Sequence, residues 1–197
     1  MILAAFAWAG WANYEYRKQA AEKRLANVST AELVEAGDAR AALSPLIGKA
    51  APQFSLEDLS GKKVSLADYK GKALLINFWA TWCGPCKVET PWLVDLRNQY
   101  AAQGFEVLGV STDDIDRSDV KMFGTEKKEI SDFVQRMHMP YPVLIEGDSL
   151  SKPYGGLDAM PTSFFVDRRG KIVAATMGIS SKEDIEANIR KALKSST

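Results

Sequence analysis

Apolar residues along this chain fall into short blocks with two distinct periods. Leu74-Leu75-Ile76-Asn77-Phe78-Trp79-Ala80 is an apolar run broken by one amide, too short for a helix, and predicts a buried strand. Residues 105–111 predict a second central strand, set off by Gly104 from the segment before it. Between them, residues 85–100 have a helical pattern in which Pro91 is expected to make a kink. Ile130, Phe133, Val134 and Met137 recur at helical spacing and predict a core-facing helix over 126–137. Residues 163–166 and 171–176 read as an antiparallel pair around Asp167-Arg168-Arg169-Gly170. A last helix, capped by Ser180 with Glu183, runs to about Leu193. Upstream, residues 54–56 and 63–66 read as short strands around an Asp58-Leu59-Ser60-Gly61 turn.

The N-terminal quarter has a different pattern. Residues 1–12 are apolar and uncharged, yet shorter than the roughly 20 residues that span a bilayer. They read as the remnant of a signal anchor or signal peptide, with Ala7-Trp8-Ala9 as a candidate cleavage site. Arg17, Lys18, Lys23 and Arg24 follow this run and no positive charge precedes it, which is the wrong order for export. A packed apolar helix is the competing reading. Residues 13–43 are alanine-rich and amphipathic, and the capping box at Ser29-Thr30-Ala31-Glu32 divides them into helices over about 13–26 and 30–43. Ser44-Pro45 and Gly48 mark the boundary. The expected organisation is therefore an apolar segment 1–12, a helical extension 13–45 and one domain over 46–197.

A chain of 197 residues, 46% of them hydrophobic, suits one domain with an appendage. Its 25 basic and 25 acidic residues cancel, so no overall basic footprint for nucleic acid exists. Asp114, Asp116 and Ser118 have the rhythm of a calcium loop. Asp119 stands where that loop needs glycine, however, and Thr125 where it needs glutamate. Residues 112–125 therefore read as a solvated loop.

The chemistry concentrates at Trp82-Cys83-Gly84-Pro85-Cys86, which holds the chain's 2 cysteines. A C-x-x-C pair at the turn from a strand into a helix is the context of a redox motif. The helix N-terminus favours an anion, so Cys83 is expected to have an enlarged thiolate fraction and act as the attacking group. Cys86, one turn further in, can close a short disulfide with it. Gly84 is expected to let the ring close without a side-chain clash, and Pro85 fits the first turn, where its missing N–H costs nothing. A structural zinc site needs about four ligands, and this pair with His138 alone falls short. A purely structural disulfide would close too small a loop to constrain the unfolded chain much. Glu89 lies three residues past Cys86 on the same helical face. A half-buried carboxyl there has a raised pKa and can exchange protons near neutrality.

Phe78-Trp79-Ala80-Thr81-Trp82-Cys83-Gly84-Pro85-Cys86-Lys87 resembles the active site of the thioredoxin superfamily. Met160-Pro161-Thr162-Ser163-Phe164-Phe165-Val166-Asp167, with Gly170-Lys171-Ile172, resembles the cis-proline loop and following strand pair of that fold. Ala51-Pro52-Gln53-Phe54-Ser55-Leu56 and Gly61-Lys62-Lys63-Val64-Ser65-Leu66 resemble the first hairpin of its redoxin branch. Glu89-Thr90-Pro91 is most similar to the TlpA/ResA type of thiol-disulfide oxidoreductase. The resemblance covers about residues 48–194. It implies an α/β thioredoxin-like fold: a central mixed sheet flanked by helices on both faces, with an N-terminal β-hairpin, an inserted helix and the helical extension. It also implies a cis Met160–Pro161 bond, and a substrate surface made by Trp82, Gly84, Pro85, Met160, Pro161 and Thr162. The aspartate that minimal thioredoxins bury six residues before the first cysteine is replaced by Asn77, and Glu89 is expected to take over its proton transfer.

The resemblance further implies dithiol-disulfide exchange on client proteins with no cofactor and no metal. An upstream thiol donor would restore the dithiol. Apocytochrome c and metal-site assembly proteins are the clients it suggests, in the cell envelope, with anchoring through residues 1–12 and a cytoplasmic location as the alternative. Two other functions are weighed. A peroxiredoxin-like peroxidase would need a proline and threonine leading into its cysteine, where this chain has Ala80-Thr81-Trp82. A non-enzymatic binding or assembly module would not need both cysteines.

Overall fold

The structure, a computed structural model, describes residues 43–194. The apolar segment 1–12 and the helices expected over 13–43 lie outside that range except for Leu43, which is buried in the domain core. Strands β1 (Ser55–Glu57) and β2 (Lys63–Ser65) form the expected antiparallel hairpin. Next come β3 (Ala73–Trp79), helix α1 (Gly84–Tyr100), β4 (Phe105–Ser111), α2 (Val120–Arg136) and β5 (Val143–Leu144). The chain closes with β6 (Thr162–Val166), β7 (Ile172–Met177) and α3 (Lys182–Lys194).

Five strands make one mixed sheet in the order β5-β4-β3-β6-β7. β3 lies at its centre, parallel to β4 and antiparallel to β6, and is buried along its whole length. Burial on both faces is why the run at 74–80 is continuously apolar rather than alternating. Successive side chains on a strand point to opposite faces. Leu74, Ile76 and Phe78 therefore enter one core, with Leu108, Tyr154 and Phe164, while Leu75 and Trp79 enter the other. Asn77 shares the face of Leu75 and Trp79.

The mixed sheet flanked by helices is as the sequence predicts, but the described α-helices α1, α2 and α3 share one of its faces. The connections β3-α1-β4 and β4-α2-β5 both step the same way across the sheet. Right-handed crossovers then place both helices on one side. α3 packs beside α1 there, with Lys182 paired to Asp95 at 2.8 Å. Ile130 and Phe133 of α2, Leu93 and Leu96 of α1, and Ile185 and Ile189 of α3 share one core with Trp79. The Phe133 ring stacks on Trp79 at 4.8 Å between centroids. The opposite face is covered by the hairpin, the segment leading into it, and Leu150 and Tyr154.

Two local expectations shift. α2 begins at Val120 rather than near 126, because the Asp119 carboxylate accepts from the N–H groups of Lys121 and Met122 and caps the helix. Val120 and Met122 are 83% and 52% exposed, so the first turn carries no apolar stripe to announce it. The cap of α3 is Ser181 with Asp184, one residue later than Ser180 with Glu183. α1 runs through Pro91 to Tyr100. β4 has the expected bounds, and β1, β2, β3, β6 and β7 differ from theirs by a residue at one end or both.

Candidate active site

The C-terminal end of β3 delivers the chain to the cysteines through a fastened loop. The Cys83 N–H donates to the Ala80 carbonyl at 3.1 Å. Asp113, just beyond β4, accepts from the Thr81 N–H at 3.0 Å, from its hydroxyl at 2.6 Å, and from the Ser111 hydroxyl at 2.8 Å. Cys83 is the N-cap of α1, and its Sγ accepts from the Cys86 N–H at 3.1 Å. The two sulfurs are joined in a disulfide, with the Cα atoms 5.3 Å apart. Cys83 is 4% exposed and Cys86 1%, so the pair sits just under the surface with Cys86 deeper.

Trp82, Cys83, Gly84 and Pro85 line one side of an open cleft of about 340 Å³, and Leu157, Asp158, Ala159 and Met160 line the other. Trp82 is 70% exposed, so its ring stands open beside the disulfide. The Met160–Pro161 bond is cis, as expected. Thr112 donates its hydroxyl to Met160 Sδ at 3.0 Å. Thr162 is buried and its hydroxyl donates to the Ala159 carbonyl at 2.6 Å, so its side chain shapes the loop from within and does not line the cleft. The steric reason for Gly84 does not hold: a Cβ there would meet nothing within 4 Å. What glycine leaves at this position is an unobstructed approach beside Cys83. His138 is exposed at the end of α2, in a left-handed conformation.

Behind the disulfide lies a buried polar group. Glu89 is 1% exposed, on the same strip of α1 as Cys86 and Leu93. Its Oε2 accepts from Asn77 Nδ2 at 3.0 Å, and the same Nδ2 donates to Ser163 Oγ at 3.0 Å. Asn77 and Ser163 are directly paired across β3 and β6. Burial pushes the Glu89 carboxyl up to about 7 against the opposing pull of the Asn77 hydrogen bond. Its other oxygen, Oε1, has no hydrogen-bond partner among the described residues, and neither have Tyr141 Oη and Trp79 Nε1. Burial, and then the Glu89 charge, hold the Tyr141 phenol above its ordinary value. Both rings lie against Gly109, where a Cβ would come within 3.1 Å of Trp79 Nε1 and 3.2 Å of a Tyr141 ring carbon. Among the described residues no three His, Cys, Asp or Glu side chains converge as a metal site would require.

The sequence singles out Cys83, Cys86 and Glu89, which the structure brings together, but gives no role to Ser163 or Asp113 and marks Asn77 only as a group that cannot titrate. One signal was available: Asn77 is the lone polar residue in an apolar strand run. Such a residue needs a buried partner.

The AhpC/TSA family model matches residues 47–175. The thiol-disulfide oxidoreductase ResA of Bacillus thuringiensis subsp. konkukian is 36% identical over 146 residues, which is 74% of this chain and 78% of that protein. This chain belongs to the ResA-like thiol-disulfide oxidoreductases of the AhpC/TSA family. ResA of Bacillus subtilis is 31% identical over 138 residues, covering 70% of this chain and 71% of its own. Among solved structures, a putative thiol:disulfide interchange protein DsbE from Chlorobium tepidum superposes with a TM-score of 0.63 at 31% identity. It covers 75% of this chain and 97% of its own. The protein is thus a thioredoxin-like enzyme of thiol-disulfide exchange, with Cys83 and Cys86 as its redox pair.

Proposed function

We propose that this enzyme reduces disulfides in client proteins of the cell envelope, with Cys83 as the attacking thiolate and Glu89 as the proton acceptor for Cys86. The observation that carries this reading is the buried Glu89 carboxyl on the Cys86 strip of α1, with a pKa pushed up to about 7. A group that changes protonation near neutrality can take a thiol proton and return it within one turnover.

The reaction begins from the dithiol form. The Cys83 thiolate, stabilised by the N-terminus of α1 and the Cys86 N–H, attacks one sulfur of a client disulfide. A Cys83–client disulfide forms, and the other client sulfur departs as a thiolate that takes up a proton. Cys86 then gives its proton to Glu89, and its thiolate attacks Cys83 Sγ. The Cys83–Cys86 disulfide forms as the second client thiolate leaves, and Glu89 returns the proton to it. Two electrons pass from the enzyme dithiol to the client, and an upstream thiol donor must return them. Trp82 and Met160, on opposite walls of the cleft, grip the client segment on either side of Cys83. The Met160 main chain before Pro161 offers an extended client backbone groups to pair with, and Thr162 holds the loop's shape. The ResA resemblance points to apocytochrome c and metal-site assembly proteins as clients, and to residues 1–12 as an anchor. Among the described residues no helix is long and apolar enough to cross a membrane.

The reduction potential of the pair, measured by equilibration with thiol redox buffers, tests the direction. A value near or below about −270 mV fits a reductant, and one near about −120 mV makes the protein an oxidant and ends this reading. The role of Glu89 is tested separately by the pH profile of client reduction. The wild-type rate is expected to rise through pH 7, and Glu89→Gln is expected to abolish that rise.

A further inference from the structure

Resting on the reading of Glu89 as the proton acceptor, we propose that Asn77, anchored by Ser163, is a positioning residue that confines the exchanged proton to Glu89 Oε1. Asn77 Nδ2 has two hydrogens, and the structure uses both. One goes to Glu89 Oε2 and the other to Ser163 Oγ, each at 3.0 Å. All three side chains are nearly excluded from water: Asn77 is 3% exposed, Glu89 1% and Ser163 2%. A buried donor that loses its acceptor costs free energy, so the amide is held in place by two bonds rather than one.

The consequence falls on the two carboxyl oxygens unequally. Oε2 receives a hydrogen from Asn77, and a carbonyl oxygen accepts that bond better than a hydroxyl oxygen does, so a proton on Oε2 would weaken it. Oε1 receives nothing from the described residues. The neutral acid therefore bears its proton on Oε1, and the ionised acid accepts one there. The amide also stabilises the ionised form, since a hydrogen bond to a carboxylate favours the charge. Asn77 thus sets both the place of the proton and the pH at which it leaves. The position six residues before the first cysteine does not titrate here, but it governs the group that does.

The register explains how the sheet builds this arrangement. Asn77 faces Ser163 on β6 on one side and Gly109 on β4 on the other. Glycine at 109 leaves room on this face for the Trp79 and Tyr141 rings; the indole N–H can only donate, and the Tyr141 hydroxyl takes no hydrogen bond from Asn77. The amide is thereby committed to Glu89 and Ser163.

The test uses the oxidised protein, in which no thiol titrates, and follows the Glu89 side-chain carboxyl carbon by NMR as the pH is raised. The wild-type midpoint is expected near 7. Asn77→Ala should move it upward by about one pH unit or more, the scale of a lost hydrogen bond to a charged group. Asn77→Asp should move it further, because two adjacent carboxyls must share a proton. Ser163→Ala, which removes a single oxygen, should shift it less and in the same direction, and stands in if either Asn77 variant does not fold. In client reduction, the limb that rises through pH 7 should move with the NMR midpoint. In an Asn77→Ala/Glu89→Gln double variant, the Asn77 change should have no further effect on the profile. Midpoints within about 0.3 pH unit of wild type in every one of these variants that folds, with Glu89→Gln still abolishing the limb, would overturn the role of Asn77 alone. A wild-type limb that survives Glu89→Gln would instead overturn the reading on which this inference rests.

Discussion

Glu89 couples the protein's stability to pH through a simple sign. Its carboxyl ionises at about 7 in the fold against 4.5 for an ordinary glutamate, so between those values the folded chain holds a proton that the unfolded chain has released. Stability then falls as pH rises through that window, by at most about 3 kcal/mol. Glu89→Gln keeps the shape and the Asn77 partner but cannot ionise. Urea unfolding should find the oxidised variant close to wild type at pH 5 and more stable at pH 8, whereas equal midpoints at both values would mean that Glu89 titrates normally. Trp82 poses the opposite case at the same scale. At 70% exposed it contributes little to the fold, so Trp82→Ala should change stability by less than about 0.5 kcal/mol. As an aromatic wall of the cleft, its loss should lower kcat/KM for a protein client about tenfold, while reduction of a small soluble disulfide hardly changes. An equal loss on both substrates would place Trp82 in the chemistry rather than in client capture.

Between residues and molecule stand the elements that carry the cysteines, above all the loop from β3 to α1. Asp113 ties that loop to the end of β4 through Thr81, so the two central strands jointly fix where Trp82 and Cys83 emerge. Asp113→Ala leaves the Thr81 N–H without this partner and should cost about 1–3 kcal/mol. It should also slow client reduction, and Asp113→Asn, which keeps one acceptor oxygen, should fall between the two in both respects. Stopped-flow measurement of client reduction beside thermal unfolding separates the effects, and unchanged kinetics would mean the loop holds its shape without the clamp. Elements whose burial is strong were legible in the sequence: the continuous run of β3, the core-facing stripe of α2, and the C-x-x-C at the start of α1. Those set by side-chain capping were less so. Asp119 starts α2 where no apolar residue is buried, and Ser181 rather than Ser180 caps α3, because either serine satisfies the same local pattern. The placement of α1 and α2 on one face follows from strand order, which no local pattern contains. Ser163 and Asp113 were illegible as site residues for the same reason. Each acquires its partner only when β6 or β4 comes to lie beside β3.

For the molecule as a whole, redox direction and stability are two sides of one cycle. Oxidising the pair in the fold and in the unfolded chain differ in free energy by the difference in unfolding free energy between the disulfide and dithiol forms. A pair that gives electrons away more readily than an unstructured dithiol must therefore belong to a fold that the disulfide stabilises. The interior favours that outcome. Reduction places a thiol at Cys86, which is 1% exposed, on the same helical strip as a carboxyl that ionises near neutrality. Any negative charge on that sulfur then meets a like charge in a desolvated place. Oxidation removes the thiol and with it the repulsion. The disulfide form should accordingly unfold at higher urea than the dithiol form at pH 7, with the same slope. Each separation of about 1.4 kcal/mol corresponds to about 30 mV of potential. The gap should widen above pH 7, where Glu89 is charged, and that widening should vanish in Glu89→Gln. A dithiol form more stable than the disulfide would mark the protein as an oxidant, like a pair whose reduced state the fold protects.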